Sequence, residues 1–292
     1  MKKYLPFILN IAIKAGKAIL DIYYNKNFDV TYKDDKSPLT IADRQSHEII
    51  MRHLSEKPFG DFPILSEEGK DIPYEERKRW EYFWLVDPLD GTKEFIKRNG
   101  EFTVNIALIH KDRPVLGVIY VPVKDVLYFA AEGINAYKLV KTGIVEEFSR
   151  ESGNRMEILQ SIINNSAELQ LGQSTNQPIN HVTIAGSRSH STKEQEEFLD
   201  EIKKKYKEVE FISAGSSLKL CLVAEGRADI YPRFGSTMEW DTAAGQAIVE
   251  QAGGQVLDMK TKNPLGYNKE SLLNPWFIVY GEKKYKHAIS CL

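Results

Sequence analysis

Apolar side chains recur at helical spacing at the start of the chain. Leu5, Ile8, Leu9 and Ala12 begin the stripe, and charged residues such as Lys14 interrupt it on the opposite side. This spacing predicts an amphipathic helix over 3–24. The polar, proline-broken stretch 33–38 predicts a loop.

A second helix is predicted after Thr40. Threonine is a common N-cap, and Asp43 three residues later is a short form of the capping box. Asp43 is therefore expected in the first turn of this helix.

From residue 62 the hydrophobic period shortens, and β-branched residues dominate. The pattern predicts strands over 62–65, 82–86, 102–109, 115–121 and 126–130. The run 117–120 follows Arg113-Pro114 and predicts a hairpin with the strand before it.

The stretch 140–180 is polar and rich in Asn, Gln and Ser, with apolar pairs only near 158–163. It predicts a domain boundary or surface insertion holding one short element. Beyond it strands and helices alternate, which is typical of an α/β layer. We therefore predict an N-terminal α+β domain over 1–139, a polar connecting segment over 140–180 and a C-terminal α/β domain over 181–292. The strands expected in that last domain are 182–185, 209–212, 229–231, 255–257 and 277–280, and its helices are 192–206, 218–224 and 241–251.

Charge and cysteine content exclude several classes of protein. The 292 residues include 39 Lys+Arg and 41 Asp+Glu, a formal charge of −2. Nucleic-acid polymers and anionic membranes need concentrated positive charge, so neither is expected as a partner. No stretch approaches the roughly 20 apolar residues of a transmembrane helix. Two cysteines, Cys221 and Cys291, cannot form a disulfide framework, which favours a reducing cytoplasm.

The strongest local motif follows the strand predicted over 82–86. Asp87 and Asp90 flank a bend at which Pro88 interrupts the strand ladder and Gly91 permits close approach of a ligand. Thr92 then begins a short predicted helix, whose N–H groups suit a phosphate. Hard oxygen ligands beside a phosphate suit Mg²⁺. An ordinary acidic turn is the alternative interpretation.

Further carboxylates lie at the ends of other predicted elements. Glu67 and Glu68 follow the strand over 62–65, and Asp241 begins a helix rich in small residues. Glu68 is expected to be a solvated neighbour of Glu67, and Asp241 could be an ordinary helix cap. Several carboxylates in one place would repel one another, so a bound metal ion is the natural compensation.

Three strings of this chain resemble the signature of the inositol monophosphatase superfamily, which comprises lithium-sensitive, Mg²⁺-dependent phosphomonoesterases. They are Leu65-Ser66-Glu67-Glu68, Trp84-Leu85-Val86-Asp87-Pro88-Leu89-Asp90-Gly91-Thr92 and Trp240-Asp241-Thr242-Ala243-Ala244. Within the superfamily the run 90–105 is similar to bacterial 3′(2′),5′-bisphosphate nucleotidases, as are 215–219 and 222–226. Inositol phosphatases typically have Thr-Asn where this chain has Lys93-Glu94. The resemblance spans about 34–275.

The resemblance implies a layered αβαβα sandwich of the inositol monophosphatase and fructose-1,6-bisphosphatase type. It implies hydrolysis of 3′-phosphoadenosine 5′-phosphate to AMP and phosphate, which clears a by-product of sulfate assimilation. Two or three Mg²⁺ ions are expected. Glu67, Asp87 and the Leu89 carbonyl would hold one ion, and Asp87, Asp90 and Asp241 a second.

The resemblance also implies catalytic and substrate-binding roles. Asp43 and Thr92, with Glu67, are the expected catalytic residues, because the first two would orient and deprotonate the attacking water. Asp43 could instead be a plain first-turn acid, and Thr92 a helix-start hydroxyl. The expected substrate-binding residues are Glu67, Leu89, Asp90, Gly91, Thr92, Ser187, His190, Gly215, Lys219 and Asp241.

Within that set Ser187 and His190 would contact the nucleotide, and Lys219 would supply a cation to its 5′-phosphate. A solvent-facing loop histidine is the alternative for His190. Arg233 could add positive charge or form a structural ion pair.

The nearest alternative is a relaxed inositol or sugar phosphatase on the same fold. A non-catalytic sensor of nucleotides or phosphate would have lost a metal ligand, whereas Glu67, Asp87, Asp90 and Asp241 are all present. We expect a small bisphosphate nucleotide as partner and a monomer or weak homodimer. The expected location is the cytoplasm, or the inner face of its membrane.

Overall fold

Two large β-sheets and the helices that cover them form this protein. The structure is a computed structural model that describes residues 1–24, 30–32, 38–56, 61–149, 154–172, 180–186, 193–282 and 285. Within these ranges no helix is both long enough and apolar enough to cross a bilayer.

The two N-terminal helices confirm the predicted periodicity. After a short 3₁₀ turn, α1 (Leu5–Tyr24) buries the predicted apolar stripe, and α2 (Ile41–Leu54) carries Asp43 in its first turn. The strands β1 (Val30–Tyr32) and β2 (Pro38–Thr40) pair antiparallel between them. Residues 33–37 of the predicted loop lie outside the described residues.

The first large sheet has seven strands in sequential order, β3 to β9. β3 and β4 are parallel, and the other neighbours are antiparallel, including the predicted β5–β6 hairpin. The strands are β3 (Ile64–Ser66), β4 (Tyr82–Asp90), β5 (Thr103–His110), β6 (Arg113–Val121), β7 (Val126–Ala131), β8 (Ala136–Val140) and β9 (Ala167–Leu169).

One detail of β4 corrects the sequence interpretation. The strand does not end before Pro88 but continues to Asp90. Its ladder with β5 pairs Asp87 with Asn105 and then Asp90 with Thr103. The proline therefore interrupts the hydrogen bonding, as a residue without an N–H must, without ending the strand.

The described part of 140–180 is built into the first sheet and its helical layer. It forms α5 (Gly143–Ser149), α6 (Arg155–Asn164) and the edge strand β9, which pairs with β8. The element expected near 158–163 is α6, whose Leu159 and Ile162 are buried. The division into three parts stays a prediction. Two further short helices, α3 (Tyr74–Arg77) and α4 (Thr92–Ile96), flank β4.

The second large sheet has five strands in the order β11-β10-β12-β14-β13. The alternation predicted for this half is confirmed. The strands are β10 (His181–Gly186), β11 (Glu208–Ser213), β12 (Ile230–Arg233), β13 (Gln255–Asp258) and β14 (Phe277–Tyr280), and the helices are α7 (Lys193–Lys205), α8 (Leu218–Ala224) and α9 (Glu239–Gln251).

Three hydrophobic cores stack these elements into five layers. Trp84 and Val86 of β4 face α1 and α2, whereas the alternate residues Phe83 and Leu85 face α8, α9 and the second sheet. The far side of the second sheet packs on α7. Because both faces of β4 are buried, its sequence is continuously apolar rather than alternating. The αβαβα sandwich predicted from the resemblance is confirmed.

Helix α9 packs unusually close to the first sheet, because small residues line the contact. A Cβ added at Gly117 of β6 would lie 2.3 Å from the carbonyl oxygen of Ala244. Glycine is therefore required at this contact between two backbones. The contact sets the position of the N-terminus of α9, where Asp241 lies.

Candidate metal and substrate site

Parallel pairing of β3 and β4 brings the first two predicted carboxylates together. Ser66 pairs with Val86, and the Glu67 amide donates to the Val86 carbonyl at 3.1 Å. Glu67 and Asp87 consequently leave the same edge of the sheet.

Helix α2 and a local hydrogen bond hold the bend after Asp87. The buried Ser46 hydroxyl donates to the Pro88 carbonyl at 2.7 Å, and the Leu89 amide donates to Asp87 Oδ1 at 3.1 Å. Gly91 then adopts φ +93, a left-handed conformation that favours glycine, and α4 begins at Thr92. These contacts deliver Asp87, Asp90 and Thr92 to one side of β4.

Asp241 joins them from the other half of the chain. It is the third residue of α9 rather than its cap, which is Met238, and its Oδ2 accepts from the Met238 amide at 2.9 Å. The alternative that Asp241 is the helix cap is therefore wrong, although its carboxylate does support the first turn of α9 through one oxygen.

The Asp87 carboxyl interacts electrostatically with four other acidic side chains. Asp87 is 1% exposed, and burial raises its pKa well above the usual carboxyl range. The negative charges of Glu67, Asp90, Asp241 and Asp43 raise that pKa further. A group of like charges of which Asp87 and Asp43 are buried and the others half-buried is stabilised by a cation.

The donor chemistry of the cluster fits a hard divalent ion. Among the described residues, Asp87, Asp90 and Asp241 each accept their hydrogen bonds through a single oxygen, which leaves the second oxygen for a cation. Carboxylate and carbonyl oxygens are the ligands that Mg²⁺ prefers. In the part of the chain that is described, no three or more Asp, Glu, His or Cys side chains lie close enough together to hold a metal ion as they stand.

A cavity of about 320 Å³ adjoins the carboxylates. Asp90 and Asp241 form part of its wall, together with Gly215 and Lys219, so these four predicted residues lie together. Ser187 and His190 lie outside the described residues. The cavity is also lined by Lys93 and Lys97, which the sequence did not assign to the site, and by Arg233, which the sequence left open between added positive charge and a structural ion pair.

Lys219 and Gly215 have structural roles besides the predicted ones. Lys219 is 5% exposed and donates to the carbonyls of Ser216 and Ala214 at 2.7 and 3.3 Å. Burial lowers its pKa to about 8. A Cβ at Gly215 would lie 2.6 Å from the side chain of Glu94, so glycine is required by packing as well.

Sequence reasoning missed the residues that support the carboxylates. Ser217, Asn105 and Thr103 form a buried polar network beside Asp90. Asn105 and Ser217 lie in the strings that carry the family resemblance, which was the available signal. Their roles depend on contacts between distant parts of the chain.

Comparison with known proteins agrees with this geometry. The model of the inositol monophosphatase family matches residues 1–289. The 3′(2′),5′-bisphosphate nucleotidase CysQ of Escherichia coli K12 is 45% identical over 275 residues, covering 93% of this chain and 97% of that protein. The CysQ of Haemophilus influenzae is 34% identical, covering 95% and 93%.

Solved structures show the same fold. The crystal structure of CysQ from Bacteroides thetaiotaomicron, a bacterial member of the inositol monophosphatase family, has a TM-score of 0.79 at 54% identity, covering 92% of this chain and 94% of that one. An IMPase from Thermotoga maritima has a TM-score of 0.70 at 21% identity, covering 98% and 95%, which shows the fold alone. This chain belongs to the inositol monophosphatase family.

Proposed function

We propose that this protein is a Mg²⁺-dependent 3′(2′),5′-bisphosphate nucleotidase that hydrolyses 3′-phosphoadenosine 5′-phosphate to AMP and phosphate. It would thereby support sulfate assimilation and recycle that nucleotide. The observation that carries the proposal is a single cavity whose wall holds Asp90 and Asp241 of the carboxylate cluster, a further acid, Glu94, and four cationic side chains. The relatives that match most of the chain at 45% identity bear the nucleotidase name.

The charge pattern of the cavity suits a substrate with two phosphate groups. Asp90 and Asp241 supply the acidic end, which suits a phosphate that arrives with a divalent ion. Lys93, Lys97 and Arg233, together with Lys219, supply direct cations for a second phosphate. A monophosphate would use only part of this wall.

Glu67, Asp87, Asp90, Asp241 and the Leu89 carbonyl would hold the metal. When bound, Mg²⁺ neutralises phosphate charge and activates water for attack. The chain supplies positioning, which dominates catalysis of phosphoryl transfer. Ser46 and the Leu89 amide hold the bend that presents Asp87. The buried Asp43 and the helix-start Thr92 would orient and deprotonate the attacking water, with Glu67 contributing as a ligand.

A phosphate-release panel tests the proposal. The purified protein is assayed with 3′-phosphoadenosine 5′-phosphate, its 2′-phosphate isomer and inositol 1-phosphate, in Mg²⁺, in chelator and with added Li⁺. We expect the bisphosphate nucleotides to be the preferred substrates, with activity lost in chelator and reduced by Li⁺. Preference for inositol 1-phosphate would favour the relaxed phosphatase, and no release from any substrate would favour the sensor.

Asp90→Asn tests the metal assignment within the same panel. Removing one ligand charge should lower kcat by on the order of 10²–10³, since a metal ion contributes several kcal/mol. Asp112→Asn makes the same change at an exposed position away from the cluster and should leave kcat unchanged. Unchanged turnover in Asp90→Asn would contradict the assignment. The monomeric or weakly dimeric state and the cytoplasmic location stay predictions.

A further inference from the structure

Ser217 lies where the two halves of the site meet. It immediately precedes α8, is 3% exposed and forms part of the cavity wall. Its backbone amide and its hydroxyl each lie 2.6 Å from Asp90 Oδ2, across 127 residues of sequence. The hydroxyl also lies 2.8 Å from the backbone carbonyl of Asp241.

The hydrogen-bond partners of the Ser217 hydroxyl limit where its proton can go. A serine hydroxyl donates one proton and accepts through two lone pairs. Asn105 Nδ2 donates to Ser217 Oγ at 2.9 Å and lies 3.4 Å from Asp90 Oδ2; because a carboxylate only accepts, this second contact orients the amide with its nitrogen toward both. The hydroxyl proton can therefore go only to Asp90 or to Asp241.

Either choice makes the hydroxyl support a metal ligand beyond what the amide does, by a second bond to Asp90 or by a bond to the backbone of Asp241. The Ser217 amide occupies Asp90 Oδ2 whichever way the hydroxyl proton points, so Oδ1 stays available. If the proton goes to the Asp241 carbonyl, the same residue also anchors the first turn of α9. Partners of this kind orient metal ligands and contribute to metal affinity.

The loop that carries Ser217 is itself held firmly. The Gly215 amide donates to Glu101 Oε2 at 2.9 Å, and the Ser216 hydroxyl donates to the Glu101 carbonyl at 2.8 Å. Ser216 adopts a left-handed φ of +42. The constraints that keep this conformation also fix Ser217 relative to β4.

We propose that Ser217 is a positioning residue that ties the Asp90 carboxylate to the backbone of Asp241 and so sets the spacing of these two ligands for a divalent cation. The proposal rests on the metal assignment of the proposed function. It does not depend on which phosphate ester is hydrolysed.

Binding of Mn²⁺ to the substrate-free protein tests the proposal, with free Mn²⁺ measured by electron paramagnetic resonance. Ser217→Ala should raise the Kd about 10- to 100-fold, the usual effect of losing a residue that orients a metal ligand. Ser217→Thr keeps the hydroxyl and should stay within about threefold of wild type. Ser166→Ala, which removes a hydroxyl bonded to the Ile162 carbonyl of α6, is the matched control and should not change the Kd.

A second pair of variants covers the case in which Ser217→Ala does not fold. Ser217→Cys is nearly isosteric but donates weakly, so its Kd should exceed that of Ser217→Thr by roughly tenfold. Equal Kd values for the Thr variant and either the Ala or the Cys variant would overturn the role of Ser217 alone. Failure of the wild type to bind Mn²⁺ would overturn the metal assignment and this proposal together. Loss of nucleotide hydrolysis with Mn²⁺ binding intact would affect only the proposed function.

Discussion

Gly117→Ala tests whether the approach of α9 to the first sheet positions the site. The added methyl group would lie 2.3 Å from the Ala244 carbonyl oxygen and 2.9 Å from the Ala247 side chain. Ordinary contact needs about 3.5 Å, so the gap is short by about 1 Å. Gly117 is paired on both sides within the sheet, and the clash is with a helix backbone, so no side-chain rotation relieves it.

Gly117→Ala should lower both the stability and the turnover of the protein, and the size of each effect follows from the clash. Overpacking of this kind costs about 1–3 kcal/mol, and for a chain of 292 residues that lowers Tm by roughly 2–5 °C. A displacement of α9 by about 1 Å also moves Asp241, and misplacement on this scale can lower the rate by on the order of 10². We therefore expect a lower Tm together with a lower kcat.

Differential scanning calorimetry in chelator measures stability without the contribution of bound metal. Phosphate release measures the second effect. Gly143→Ala is the matched control, because no heavy atom lies within 4 Å of its Cβ. At the start of α5 it should be neutral, or stabilising by up to about 1 kcal/mol. A Tm of Gly117→Ala within about 1 °C of wild type would refute the reasoning.

Three further outcomes follow from the structure. Arg77→Ala should destabilise the protein by about 3 kcal/mol or more in urea denaturation, because the buried guanidinium makes four hydrogen bonds, three of them to residues 268–270. Arg77→Lys should recover only part of the lost stability. A loss below about 1 kcal/mol in Arg77→Ala would contradict the prediction. Burial lowers the pKa of Lys219 from 10.5 to about 8, so between these pH values the unfolded chain holds more protons and this group makes the free energy of unfolding rise with pH. Lys219→Met should flatten that rise. An unchanged slope of the unfolding free energy against pH, measured by denaturation at pH 7–10, would argue against the prediction. Lys93→Ala with Lys97→Ala should raise KM for the bisphosphate nucleotide about tenfold but leave KM for inositol 1-phosphate unchanged, whereas equal changes for both would exclude a role in binding the second phosphate.

Much of the secondary structure was predictable because its determinants are local. The structure confirms the stripe of α1, the hairpin of β5 and β6 and the alternation from 182 onward. Each was predictable because its hydrophobic pattern lies within the segment itself. The continuation of β4 past Pro88 was not predictable. Pairing of Asp90 with Thr103, a contact between two strands, keeps the chain extended there.

The candidate site divides in the same way. Asp87 and Asp90 belong to one local motif, so their proximity follows from covalent spacing. Their association with Glu67 needs the parallel pairing of β3 and β4, which the family resemblance supplied and periodicity did not. Among the cations of the cavity the family resemblance singled out Lys219. Lys93 was missed, because only the stacking of the two halves brings it to the same cavity as Arg233.

The sequence by itself determined most of the helices and strands, though not β1, β2, β8, β9, α3 or α5. It also determined which acids follow the predicted elements and which family the motifs resemble. Each of these depends on neighbours within a few residues. The tertiary structure alone decided that one carboxylate of β4 is held by a serine 127 residues away, and that a glycine in β6 sets the height of α9. Such contacts form only when the layers pack together, because hydrogen bonds and van der Waals contacts act across a few ångströms. No local sequence pattern therefore records which distant residues will meet.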